Sequence, residues 1–318
     1  MRVVRHGRAG WVEGGFAMTV LALDIGATKL AAGVVRAGRL VRDVRRAAVP
    51  AAAVWETCRD LLAAVAGDTR VTAVGIGSAG PVDVRSGTIA PLNIPEWRSG
   101  FPLVPAVQEA FPAAVVRLAV DGACLALAEH HVGGLRGVRN GLAMTVSSGI
   151  GGGIIADGRV AVGRTGNAGH VGHIVVPGSE APCGCGGAGC VEAVASGMSS
   201  VRWAREQGWT GDTGAELAQA AHAGDPIALA ALDRSGTALG QAISSAAALL
   251  DIDRVVVGGG FAESGAPLWD PMRAAIAAHA RLDFIRHLQV VPSRISNGAT
   301  LTGAGVLAAG HATADEYD

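Results

Sequence analysis

The chain has 318 residues, half of them apolar, and a formal charge of −1, which is enough for two ordinary domains with a large core. With no basic patch it offers nothing to nucleic acid or to an anionic membrane, and no apolar run reaches the ~20 residues of a transmembrane helix. Aromatic residues make up 4% and glycines number 47, a composition suited to many tight backbone turns and not to stacking on bases.

Residues 1–17 are basic at the start but carry Glu13 and glycines where a secretion signal has its apolar stretch. They are read as a disordered extension ahead of Met18, and a cytoplasmic location follows by default. Thr19–Asp24 is a short apolar run that reads as a buried strand. Gly26-Ala27-Thr28-Lys29 is a turn, and Leu30–Val35 a second strand. Gly38 makes another turn before Leu40–Val49, and Pro50 opens a helix to about Val65. Val71–Gly75 is a strand running into a glycine-rich loop, Gly77–Pro81. Pro91–Trp97 is a loop, Pro102–Phe111 a helix, Ala114–Val120 a strand and Gly122–His131 a helix.

The pattern then restarts. Asn140–Val146 is a strand, Ser147–Gly153 a polar and glycine-rich loop, and Ile154–Ala156 a strand. Cys190 to about Trp203, Ala215–Ala223 and the long Ala-rich Pro226–Leu250 read as helices. Asp253–Val257 is a strand that ends in Gly258-Gly259-Gly260, and a small helix closes the chain near 303–312. Two strand-first halves with helices between them indicate an α/β architecture of two similar domains, 18–130 and 131–302, with the last helix packing back on the first.

Between Gly169 and Glu192 the chain gathers His170, His173, Cys183, Cys185 and Cys190. Three of five cysteines fall in C-x-C-x4-C spacing, with a histidine ten positions upstream. That set suits one tetrahedral Zn²⁺ held by His173, Cys183, Cys185 and Cys190, a closed structural site with no position open for catalysis. Buried inert thiols are the plain alternative, but a glycine-rich loop offers no core to bury them. A disulfide scaffold is not needed in a chain of this length.

The hairpin at Asp24–Lys29 presents backbone N–H groups to anionic oxygens. Thr28 and Lys29 can add donors, and Asp24 can hold Mg²⁺ through water. Ser147–Gly153 is its counterpart in the second half, and Gly258–Gly260 offers a close-approach surface for a nucleoside. Each is weak alone; together, at strand ends of two repeated halves, they point to a nucleotide. There is no Walker motif and no dinucleotide fingerprint. Asp121 stands at a strand-to-helix boundary, where it is either an ordinary cap or a general base for a hydroxyl attacking phosphorus.

DIGATK, GIGSAGPVD, VSSGIGGG, the CGCGGAGCVEAVASG block and VVVGGG together resemble the ROK family of bacterial sugar kinases and sugar-responsive repressors, from about Thr19 to Gly310. The resemblance implies the actin-like, hexokinase-type fold with a cleft between two domains. It implies ATP phosphates held by Asp24, Gly26, Ala27, Thr28 and Lys29 and by Ser147, Ser148, Gly149, Gly151 and Gly152, with Gly258–Gly260 behind them. It implies Asp121 as the catalytic base and Mg²⁺ and structural Zn²⁺ as cofactors. Sugar contacts would fall to Gly80, Asn93, Val120, Asp121, His170 and Glu192. A homodimer or homotetramer is expected by analogy.

Two positions depart from the family pattern. Val120 replaces the usual Asn before the base, and His170 the usual Glu ahead of the zinc histidine; His170 resembles some N-acetylmannosamine kinases. Losing both polar partners of a sugar ring disfavours unmodified glucose. The expected activity is ATP-dependent phosphorylation of the 6-hydroxyl of a hexose-like sugar, an amino sugar or modified hexose. The alternatives are a plain glucokinase or N-acetylmannosamine kinase, an antibiotic-pathway kinase of kanosamine or a C7-cyclitol, and a non-catalytic sugar-binding protein or repressor. A repressor would carry a helix-turn-helix of several tens of residues before the first strand, a pattern not found in residues 1–17.

Overall fold

A computed structural model describes residues 18–26, 28–35, 41–295 and 298–310; the 1–17 extension, Ala27 and the final residues of the helix expected at 303–312 lie outside the described residues. Strands β1 (Met18–Ile25), β2 (Lys29–Val35) and β3 (Val41–Ala48) form an antiparallel meander. The β1 core run from Leu21 to Leu23 is wholly buried, as a central strand covered on both faces must be. The β3 run, with Arg42, Arg45 and Arg46, stays largely exposed at the sheet edge, where charge blunts strand addition.

Helix α1 (Val54–Ala66) leads to β4 (Arg70–Ser78), parallel to β1. A two-stranded ribbon, β5 (Val82–Asp83) and β6 (Thr88–Ile89), and helix α2 (Leu103–Ala110) precede β7 (Val115–Val120), parallel to β4. The sheet order is β3-β2-β1-β4-β7, and helix α3 (Asp121–Val132) follows directly.

The second half repeats this plan. Strands β8 (Gly141–Val146), β9 (Ile150–Ala156) and β10 (Arg159–Ala161) form the meander. Helices α4 (Val191–Ala195), α5 (Gly197–Glu206), α6 (Gly214–His222) and α7 (Pro226–Leu250) come next. Strand β11 (Arg254–Gly258) lies parallel to β8. Helix α8 (Ala266–His279) then leads to β12 (Gln289–Pro292), parallel to β11, and α9 (Ala299–Ala308) ends the described chain. The order β10-β9-β8-β11-β12 matches the first sheet position for position. No helix among the described residues is long and apolar enough to cross a membrane.

The two halves exchange helices. Helix α3, which follows the first sheet, packs chiefly on β8 and β9 of the second, and α9, which follows the second, packs on β1 and β4 of the first. The two helices cross with backbones in contact: a Cβ on Gly303 would collide with the carbonyl of Cys124. A Cβ on Gly75 would likewise strike the Ala304 carbonyl of α9. Where the chain passes between halves, Glu129 of α3 is 1% exposed. Its carboxylate accepts from the Gly134 N–H at 2.7 Å and from the Ser293 hydroxyl just past β12, so one buried side chain ties both crossings.

Four local expectations are corrected. Gly151, Gly152 and Gly153 lie within β9, not in a loop. Gly152 and Gly153 are glycines because neighbouring backbones press on the strand: a Cβ on Gly152 would stand 2.7 Å from the Ala143 carbonyl, and one on Gly153 would collide with the Gly122 carbonyl. The helix expected from Cys190 to Trp203 breaks at Ser196, whose hydroxyl accepts from the Ser199 N–H at 3.2 Å and caps α5. The helix expected after Pro50 begins only at Val54, and the final helix spans Ala299–Ala308. Helix α8, with Pro267 in its first turn and Pro271 inside it, goes unread in the sequence. It lies against α7 where Gly236 and Gly240 leave room for the Leu268 and Met272 carbonyls.

The helix crossing is tested by Gly303→Ala. In an open helix this change would gain roughly 1 kcal/mol of propensity. Here it should cost on the order of 1–3 kcal/mol through overpacking, read as a fall in the denaturant midpoint. Gly151→Ala, whose Cβ would stand 3.6 Å from the Thr145 methyl, is the matched control and should leave the midpoint nearly unchanged.

Candidate active site and metal centre

Parallel strands bring their C-terminal ends to one edge of a sheet, where α/β proteins build their sites. In the first sheet this edge collects Asp24–Ile25, Ser78 and Val120, paired Asp24 with Gly77, Ile25 with Ser78, and Ser78 with Val120. In the second it collects Val146–Ser147 from β8 and Gly258 from β11, paired through Thr145. The two edges meet at Gly122. A Cβ there would collide with the carbonyl of Gly152, so Asp121 is pinned one residue from a backbone-to-backbone contact between the halves.

Asp121 opens α3, and its Oδ1 accepts from the Gly122 N–H at 2.7 Å. Burial pushes its carboxyl up to about 6, with that N–H pulling the other way. Asp24 is pushed up to about 7, first by burial and then by the charge of Asp121, against Arg46. Two carboxylates thus face each other in a poorly solvated cleft. The Arg46 contribution follows from register, since Asp24 pairs with Ala31 and Ala31 with Arg46, which puts all three on one face with only a methyl between the charges.

The Gly26 N–H donates to the Lys29 carbonyl at 2.9 Å and closes the hairpin. Thr28 and Lys29 are exposed on it, and Ala27 lies outside the described residues. Across the cleft the Ser147 N–H donates to the Gly149 carbonyl at 2.9 Å, a turn that also holds Ser148. Gly259, at φ +97°, leaves no room for a side chain beside the Val146 carbonyl. Ser147, Ser148 and Gly260 line one end of a cavity of about 880 Å³. The sequence reading missed its other wall, formed by Met198, Arg202 and Arg205 of α5 with Thr213, Gly214 and Phe261. No motif marks these residues; only the fold of α5 against the start of α6 assembles them.

The two departures from the family pattern, Val120 and His170, lie together. A Cβ on Gly80 would stand 3.0 Å from His170 Nε2 and 3.3 Å from Val120 Cγ2. Val120 is 2% exposed, so it presents an apolar wall behind Gly80 and no polar group. His170 is exposed, and its ring stacks on His173 with centroids 5.8 Å apart. Partial desolvation of the ring, then the nearby His173, lower its pKa, against a smaller upward pull from Glu192. Glu192, in the first turn of α4, accepts from the Ile150 N–H at 2.8 Å through Oε2. It therefore fastens the cysteine loop to the end of the Ser147–Gly149 turn. Asn93 is exposed on its loop and makes no hydrogen bond among the described residues. Asn167, which the sequence reading passed over, joins Val82 across the cleft with both ends of its amide.

His173 Nδ1 and the sulfurs of Cys183, Cys185 and Cys190 all lie within 4.8 Å of one another. Cys183 Sγ is 3.7 Å from His173 Nδ1, and Cys185 Sγ is 3.8 Å from Cys190 Sγ. Ligands ~2.3 Å from a tetrahedral zinc stand ~3.8 Å apart, so the cluster has the size and the donor set of a Cys3His zinc site. Its backbone is built for this: the Cys183 N–H donates to Gly187 and the Gly186 N–H to Cys183, with Gly186 and Gly189 at positive φ. Strand β9 carries the same segment, because a Cβ on Gly172 would collide with the Ile150 carbonyl.

Comparison with known proteins adds a family. The ROK family model matches residues 20–311. An N-acetylmannosamine kinase of Escherichia coli strain SMS-3-5 is 33% identical over 299 residues, 92% of this chain and 99% of that protein. A ROK family glucokinase from Streptomyces griseus, solved in complex with glucose and AMPPNP, superposes with a TM-score of 0.78 at 31% identity, covering 92% of this chain and 99% of its own. A ROK hexokinase from Thermus thermophilus gives 0.78 at 33% identity, covering 92% and 98%.

The metal centre is open to direct measurement. Elemental analysis of the purified chain should find about one zinc per molecule. Cys183→Ser should lose it and lower the melting temperature, since ligand binding energy is folding energy in such loops. A metal-free protein with unchanged stability and activity would refute the assignment.

Proposed function

The chain belongs to the ROK family, and from that premise we propose that it transfers the γ-phosphoryl group of ATP to the primary hydroxyl of a hexose-like sugar, an amino sugar or modified hexose foremost. The observation that carries the reading is the pair Asp121 and Asp24, set in a cleft whose far side holds the Ser147–Gly149 turn and the adjoining cavity. Asp121 accepts the proton of the sugar hydroxyl as its oxygen bonds to the γ-phosphorus; the bond from that phosphorus to the β-γ bridging oxygen breaks, and ADP leaves. Burial serves this step, since a carboxylate titrating at about 6 is a stronger base than an ordinary Asp and is still ionised at neutral pH. Asp24 suits a Mg²⁺ that would offset the charge of the transferring phosphoryl group. The backbone of the Ser147 turn and the Asp24–Lys29 hairpin would cradle phosphates, and the α5–α6 cavity has the size for a nucleoside.

The substrate class rests on Gly80, Val120 and His170. An apolar wall at Val120 leaves a ring hydroxyl there without a partner, a loss of roughly 1–3 kcal/mol for a buried group. His170 can donate as well as accept, unlike a carboxylate. Both features favour a ring altered beside the reacting end, and the kinship with N-acetylmannosamine kinase points the same way. Plain glucose phosphorylation is the second reading, favoured by the likeness to the Streptomyces griseus enzyme.

Two measurements decide these points. Asp121→Asn should lower turnover by roughly 10²–10⁴. Wild-type kcat/KM should fall about tenfold per pH unit below about 6 as Asp121 takes up its proton. The sign reverses for stability: a raised carboxyl pKa favours the folded state at low pH and loses that advantage as pH rises from ~4 through the folded value. The variant should therefore melt no lower than wild type at pH 8, and near-native turnover would overturn the base. Separately, ADP release should be followed across glucose, N-acetylmannosamine, amino sugars and cyclitols. The highest specificity constant is expected on an amino or otherwise modified sugar. Glucose ranking first would establish the plain glucokinase, and failure of every sugar to elicit ADP would point to a non-catalytic sugar-binding protein.

A further inference from the structure

Asn167 belongs to none of the motifs that mark the site, yet its amide spans the cleft. Its Oδ1 accepts from the Val82 N–H at 2.9 Å, and its Nδ2 donates to the Val82 carbonyl at 2.6 Å. One side chain thus satisfies both backbone groups of a residue in the other half, as a neighbouring strand would. Nδ2 also donates to Thr165 Oγ1 at 3.0 Å, which fixes the rotamer. A second rung follows: the Val84 N–H donates to the Thr165 carbonyl at 3.2 Å. Gly166, at φ +100°, lies so close to Val84 that a Cβ would stand 2.5 Å from Val84 Cγ1. Val82 is 4% exposed, so these bonds are shielded from water.

The seam lies against the sugar wall on both sides. Val82 is two residues from Gly80, and Asn167 three from His170. Gly80 and His170 approach across the cleft so closely that a Cβ on Gly80 would stand 3.0 Å from His170 Nε2. The seam is also remote in sequence from the α3–α9 crossing, so the halves are held at a second point besides their helix exchange. An Asn is well chosen for this. An apolar residue of the same size would leave the buried Val82 N–H and carbonyl without partners, and each such group costs more to strand than a bond is worth to make.

We propose that Asn167 is a positioning residue for the sugar: by pairing with Val82 it holds Gly80 against His170, sets the width of the sugar pocket and shuts water out beside the base. It touches neither sugar nor phosphate and acts through the 80–84 segment. The proposal rests on the sugar-kinase reading for its kinetic consequence, though not for its structural one.

The test has two arms on the full-length chain. In hydrogen exchange without ligands, Asn167→Ala should abolish most of the protection of the Val82 and Val84 amides while leaving α7 protected; unchanged protection would overturn the seam. In kinetics with the best sugar of the panel, Asn167→Ala should raise the sugar KM about tenfold, leave the ATP KM near wild type and increase ADP release without sugar. A purely structural role would instead move both KM values together. Asn167→Asp supplies the rescue. In that variant the ionised carboxylate keeps the acceptor for the Val82 N–H but turns a charge on the Val82 carbonyl, whereas the protonated acid restores the donor. Its sugar KM should therefore recover as pH falls from 8 toward the ordinary carboxylate range near ~4. The wild-type profile over the same range subtracts the titration of His170, Asp121 and Asp24; Asp83, whose pKa is lowered first by the Arg85 N–H, flanks the seam in sequence together with Arg85 and Arg164. A sugar KM for Asn167→Asp that ignores pH would refute the role of the Val82 carbonyl. Failure of every sugar in the panel on wild type would bear on the kinase reading and leave the exchange arm to decide the seam.

Discussion

The contact between Gly122 and Gly152–Gly153 governs the geometry of everything around it. Two backbones meet there with no side chain between them, and a close-packed interior transmits any change in that spacing. Asp121 sits one residue before the contact. On the far side of β9 the segment from Gly169 to Gly172 is pressed equally close, against Gly152 and Ile150. Base, strand and His170 segment are therefore three layers at backbone thickness. Asp121 and the His170 segment are positioned here by steric exclusion, next to the polar seam at Asn167.

Stiffness of this kind lets the electrostatics stay unfavourable. Two carboxylates facing each other with little solvent would relieve themselves by moving apart if the backbone allowed it. Here both pKa values rise, that of Asp121 through burial and that of Asp24 through burial and then the charge of Asp121. Partners that carry positive charge are kept at a distance: Arg46 reaches Asp24 only across Ala31. Under the proposed kinase reading such a cleft suits cationic help brought in with the phosphates, where a permanent salt bridge would quench a base at Asp121. The cysteine loop adds a second tether, since Glu192 joins it to Ile150 at the end of the Ser147–Gly149 turn.

Much of this was legible from residue patterns, for identifiable reasons. Strand ends rich in Gly, Ser and Asp are local signals, so Asp24, Ser147 and Gly258–Gly260 could be read where they stand. The cysteine spacing is likewise local. What escaped reading depends on distant partners. The glycines 151–153 look like a loop because what presses on Gly153, the backbone of Gly122, is some thirty residues away in sequence. Helix α8 looks broken by Pro271, yet α7 provides the groove that holds it. Asn167 looks like any turn residue until Val82 is folded against it, and the α5–α6 wall has no motif because its members serve through shape.

The exchange of α3 and α9 between halves also bears on how the chain is made. The face of the first sheet that carries Gly75 and Gly77 is covered by α9, through Ala304 and Thr300. As the chain emerges from the ribosome, that face stays bare until nearly three hundred residues have been synthesised. Helix α3, made early, has no second sheet to rest on until β8 and β9 appear. Neither half can therefore complete its core during translation of its own segment alone. The first half must wait as an open-faced sheet until α9, the last helix among the described residues, covers it.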